Sequence, residues 1–77
     1  MSIDHDDAEF PFAQLARILR ARIESGEYPA GRKIPPLLDL QGEFGLSSMT
    51  VRRAVGVLVD EGLLLRVPGR GTFVTRG

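Results

Sequence analysis

The apolar positions of the chain repeat with a helical period in three stretches and with a strand period in a fourth. Within residues 46–62, Val51, Ala54, Val55 and Leu58 form one helical stripe, while Ser48, Met49, Arg52, Arg53 and Gly56 project elsewhere. Ser47 suits the N-cap of this helix and Gly62 a left-handed stop. Residues 12–25 place Leu15, Ile18, Leu19 and Ile23 on one face, with Phe12 and Ala16 beside them, and Gln14, Arg17 and Arg20 on another. Pro11 before this stretch and Gly26 after it predict the limits of a first helix. Residues 36–44 predict a short second helix with Leu37, Leu40 and Phe44 inward and a break at Gly45. Gly42 weakens that helix by roughly 1 kcal/mol relative to alanine, so packing must hold it. Residues 63–67 and 72–75 are branched and aromatic, and Pro68-Gly69-Arg70-Gly71 between them predicts a β-hairpin with an arginine at its tip.

The second and third helices are joined by a turn of only Gly45, Leu46 and Ser47. That spacing suits a helix-turn-helix and an ordinary helical hairpin equally; the strand pair that follows decides for the first. The predicted fold is mainly α with a small β-hairpin, a three-helix winged helix-turn-helix. Between the first two helices, residues 26–36 are rich in proline and glycine and read as a connection, anchored by Tyr28 and Ile34, with Arg32 and Lys33 beside Ile34 in a short edge strand.

Charge divides the chain in two. Its net charge is zero, but residues 1–9 carry Asp4, Asp6, Asp7 and Glu9 and no base, so residues 10–77 are basic. A polyanionic partner is electrostatically permitted. Residues 1–9 lack periodicity and are expected to form an acidic flexible tail, whose removal would leave stability unchanged; residues 10–77 are the folded domain. His5 lies in that tail, and a solvated histidine is its expected state.

Chemistry narrows the classes further. With one histidine in a tail, no cysteine and no glycine-rich phosphate loop after a strand, no catalytic or metal site can be assembled and no cofactor is expected. The chain is not read as an enzyme. No apolar run reaches membrane-spanning length, and the acidic start does not suit a signal peptide, so a cytoplasmic domain with no membrane partner is expected. The third helix instead carries hydroxyls and arginines at its start and holds Asp60 and Glu61 back to its last turn, where acids oppose the helix dipole. This keeps negative charge away from an end suited to a DNA groove. Ser47, Ser48, Met49 and Thr50 lie at that end, and Arg52 or Arg53 is placed to reach a guanine edge or a phosphate. Arg70 and Gly71 on the hairpin are expected at the backbone or minor groove, where an arginine between glycines fits a narrow, electronegative channel. Arg32 and Lys33 are further candidate phosphate contacts.

The same residues resemble the N-terminal winged helix-turn-helix domain of the GntR family of bacterial transcription regulators, over about residues 12–76. The resemblance rests on the order and spacing of Ile23-Glu24-Ser25-Gly26-Glu27-Tyr28-Pro29-Ala30-Gly31, Ile34-Pro35, Phe44-Gly45-Leu46-Ser47, Thr50-Val51-Arg52, Glu61-Gly62-Leu63 and Gly69-Arg70-Gly71-Thr72-Phe73-Val74. It implies sequence-specific binding to double-stranded operator DNA, usually as a homodimer on a palindromic site, with repression the usual outcome. The chain departs from the family at two frequent DNA contacts: an arginine of the second helix is replaced by Leu38, and one in the first turn of the third helix by Ser48. The family's effector domain follows the winged helix, so no small-molecule effector site is expected within these 77 residues, which read as an excised domain or a short form. The two replaced arginines motivate an alternative, a winged-helix module that binds protein and has lost its DNA-reading face; an exposed apolar patch of Leu37 and Leu38 would favour it.

Overall fold

A computed structural model describes residues 2–76, with α1 at Pro11–Glu24, α2 at Leu37–Phe44, α3 at Ser48–Asp60, β1 at Leu64–Val67 and β2 at Gly71–Val74. The α3 stripe is buried as its period requires: Val51, Ala54, Val55 and Leu58 meet Leu15, Ala16, Ile18 and Leu19 of α1 and Leu40 and Phe44 of α2 in one core. The Ser47 hydroxyl accepts the N–H of Thr50, capping α3 at its start. At its end Gly62 takes φ 80°, and the Leu63 N–H returns to the Leu58 carbonyl at 2.9 Å, closing the last turn and aiming the chain into β1. α2 ends in the same way, on Gly45 at φ 65°.

β1 and β2 pair antiparallel, with Leu64 opposite Val74 and Val67 opposite Gly71. Leu64 and Val74 are buried at the base of the hairpin, fixing it to the helices. The connection after α1 adds a third, minimal strand: Gly31 donates to Val74, Val74 to Arg32 and Ile34 to Thr72, all at 2.8–2.9 Å. β2 is therefore central, and the expected edge strand at Arg32 and Lys33 is present as a single bridge between Lys33 and Phe73. Tyr28 and Ile34 are buried anchors of this connection.

The first residues depart from expectation. Gln14, read from its spacing as part of a polar helix face, is only 3% exposed. Its side-chain amide accepts the Asp4 N–H at 2.8 Å and donates to the Asp4 and Glu9 carbonyls at 2.7 Å each. Ile3 packs against the core, and Glu9 pairs with Arg17 at 2.6 Å. Where an unattached acidic tail was expected, the segment returns over the start of α1, and one amide satisfies three of its main-chain groups.

Two clusters fix the helices' far ends. Glu61 just after α3 accepts from Arg20 of α1 at 2.8 Å, which accounts for an acid where the helix dipole disfavours one, and this contact holds its carboxyl below the usual range. Arg22 of α1 donates to the Tyr28 hydroxyl at 2.7 Å and to both carboxylate oxygens of Glu43, and its guanidinium lies over the rings of Tyr28 and Phe44. The carboxyl of Glu43 is lowered by that hydrogen bond, while burial raises the Tyr28 phenol. Among the described residues no helix is long and apolar enough to cross a membrane.

Candidate nucleic-acid interface

The basic residues sort by location. Arg17, Arg20 and Arg22 of α1 are each paired with an acid, Glu9, Glu61 and Glu43 respectively. Arg32, Lys33, Arg52, Arg53, Arg66 and Arg70 form no salt bridge among the described residues, and all six are exposed. Positive charge is thus neutralised on the α1 side and left unopposed along α3, the hairpin and the segment beside it. An unopposed cation is free to displace the counterions of a polyanion without first breaking an internal pair.

The start of α3 is open. Ser47, Ser48 and Met49 are exposed and Thr50 is half-buried. The Ser47 and Thr50 hydroxyls lie 3.0 Å apart and share a hydrogen bond, so Ser47 is occupied in capping while Ser48 and Met49 project freely. Arg52 stands one turn beyond Ser48 on the same side of the helix. Arg53 takes another direction: its guanidinium lies 3.9 Å from the centre of the Phe12 ring on α1. Arg52 and Arg53 point about 100° apart on the helix, and the position of α1 gives Arg53 a ring to lie against.

The hairpin carries the second group. Its turn closes through the Arg70 N–H, which donates to the Val67 carbonyl at 3.0 Å across Pro68 and Gly69, with Gly69 at φ 75°. Arg70 is exposed at this tip. Gly71 has φ 123°, and a Cβ there would sit 3.0 Å from the Lys33 Cδ, so its hydrogen is what lets the Lys33 stem cross the wing. Lys33 and Gly71 are brought together, and Arg32 lies in the strand that pairs beside them.

Arg66 is a cation of the basic part of the chain to which the motifs give no place at a groove. Arg66 shares with Leu64 the side of β1 that faces the helices, and its guanidinium reaches the Arg52 carbonyl at 3.3 Å while passing Gly56 of α3 at ordinary contact distance. The two-residue alternation from buried Leu64 was the available signal. Of the replaced positions, Leu38 is 74% exposed, whereas Leu37 is half-buried and packs against the core. The two leucines do not form a joint exposed patch.

The chain matches the model of the family described as bacterial regulatory proteins, gntR family, over residues 11–74. It is 42% identical over 65 residues to the HTH-type transcriptional repressor NagR of Bacillus subtilis (strain 168), which covers 84% of this chain and 27% of that protein. Its backbone is similar to that of the AraR DNA-binding domain in a crystal structure with operator ORE1, with a TM-score of 0.86 and 36% identity, covering 95% of this chain and 89% of that one. It is also similar to YtrA from Sulfolobus acidocaldarius, described as a GntR-family transcription factor, with a TM-score of 0.88 and 30% identity, covering 99% and 80%. The chain spans about a quarter of the length of the curated relatives it matches.

Proposed function

The chain belongs to the gntR family of bacterial regulatory proteins, and on that premise we propose that it binds a short operator sequence in double-stranded DNA and thereby regulates transcription, with repression the outcome. The observation that carries this reading is the partition of charge: every arginine of α1 is paired with an acid, and the exposed cations of α3 and the wing are not. α3 enters the major groove by its start, where Ser48, Met49 and Arg52 face base edges and Thr50 lies at the margin. Ser47 acts as the cap that orders this turn and presents its hydroxyl at the same end. Arg70 and Gly71 approach the minor groove or backbone, and Arg32, Lys33 and Arg66 supply phosphate contacts. Arg53, stacked on Phe12, supplies a further phosphate contact at the α1 edge.

A palindromic operator takes two copies, one for each half-site. The alternative of a protein-binding module draws no support from Leu37 and Leu38, since only Leu38 is exposed. The test is a selection of duplexes from a random pool, followed by affinity measurements against the selected and a scrambled duplex across salt concentrations. The expected result is a preferred palindrome and a log–log salt slope of several times about −0.9, one such increment for each phosphate neutralised. Affinity independent of salt, or equal for both duplexes, would contradict it.

A further inference from the structure

Beside the start of α3 lies an open cleft of about 370 Å³, lined by Phe10, Pro11, Phe12, Met49, Thr50 and Arg53. Two of its residues are unusually uncovered for their type: Phe10 is 70% exposed and Met49 is 77% exposed. The rings of Phe10 and Phe12 stack 6.1 Å apart and form one wall, and Arg53 lies across Phe12. Single exposed apolar residues are ordinary on a protein surface. Here, however, an apolar wall continues directly into the exposed residues that lead the proposed reading helix.

We infer that Met49, backed by this apolar wall, reads the C5-methyl group of a thymine in the operator. The inference rests on the proposed DNA-binding function and specifies its chemistry. A thioether side chain offers no useful hydrogen bond to a base, so it can distinguish bases only by apolar contact. Of the groups that the four natural base pairs present in the major groove, the thymine methyl is the one projecting apolar carbon group; cytosine offers only a C–H at the equivalent position, and the other recognition groups are donors and acceptors. An exposed methionine in the first turn of α3 therefore matches one base, where a serine or arginine would match others. Its unbranched, flexible chain lets it settle against a methyl without demanding a single angle of approach. Ser48 and Arg52, polar and on the same helix, remain for the hydrogen-bonded positions.

The experiment replaces each thymine of the selected duplex, one at a time, by deoxyuridine, which differs only in lacking that methyl. The unmodified protein should lose about fourfold in affinity at one thymine per half-site, the loss expected for one buried carbon group. Met49→Ala should bind the thymine and deoxyuridine duplexes equally, and Met49→Leu should keep the preference. Both side chains are exposed replacements outside the core, and a melting curve for each confirms that the fold is retained. If no thymine is sensitive, or if Met49→Ala remains as sensitive as the parent, the inference is overturned while DNA binding stands. If the protein selects no duplex at all, the proposed function falls with it.

Discussion

Arg66 of β1 donates a hydrogen bond from its guanidinium to the main-chain carbonyl of Arg52 on α3, at 3.3 Å. The contact ties the wing to the helix that carries Arg52 and holds a cation at the seam between them. It is made to a carbonyl, so the charge of Arg66 is not neutralised. Arg66→Ala is expected to weaken binding to selected and scrambled duplexes by similar factors and to reduce the salt slope by about 1. Anisotropy titrations at several salt concentrations check this; an altered selectivity with an unchanged slope would assign Arg66 to base reading instead.

Arg52 and Arg70 are expected to fail in different ways. Arg52 stands one turn past Ser48, where loss of a bidentate guanine contact discriminates by about 1–3 kcal/mol, so Arg52→Ala should flatten the ratio of selected to scrambled affinity. Arg70, at the wing tip, is proposed to meet backbone or minor groove, so Arg70→Ala should weaken both duplexes together. Leu58→Ala is the control: a cavity at this fully buried residue should cost about 2–5 kcal/mol and abolish binding by unfolding, visible in a melting curve. The reverse pattern for Arg52 and Arg70 would exchange the roles of helix and wing.

Removal of residues 1–9 should lower the melting temperature. Truncation deletes the Ile3 contact with the core and the three hydrogen bonds centred on Gln14, leaving that amide to water. Losses of this kind come to about 1–2 kcal/mol, or several degrees in a domain of this size. Gln14→Ala should reproduce most of the drop in the full chain. An unchanged midpoint in both would restore the reading of an unattached tail.

Acid should weaken the fold partly through Glu43. Its carboxyl is held below the ordinary 4.5 by the hydrogen bond from Arg22, so its contribution is present above that value and is lost as pH falls through the lower folded-state value. Urea unfolding of the parent and Glu43→Gln at neutral pH and down to about pH 3 should show the difference between them narrowing on the acid side. A difference that stays constant with pH would show that Glu43 stabilises without its charge.

Much of the fold was legible in the sequence because it is governed by local rules. The stripe of Val51, Ala54, Val55 and Leu58 is periodic whatever surrounds it, and all four are buried. Ser47 and Gly62 act within one turn of their own backbone, as cap and left-handed stop. The glycines around Arg70 similarly announce a tight turn, and the base of the hairpin follows from two short branched runs.

What remained illegible depended on partners distant along the chain. Gln14 sits among polar neighbours on its helix, yet it is buried because residues 4–9 fold back over it, and no period records that return. Which arginines are neutralised is equally non-local: Arg20 finds Glu61 and Arg22 finds Glu43 only after three helices have packed. Arg52 and Arg53 are adjacent and chemically identical. The helical period turns them about 100° apart and sets Arg52 one turn past Ser48; that Arg53 meets the ring of Phe12, brought by α1 to within 3.9 Å, is decided by packing. A helix's own period determines which side is buried, but the destination of each exposed cation is decided by whichever acid, ring or carbonyl the packed elements bring within a few ångströms.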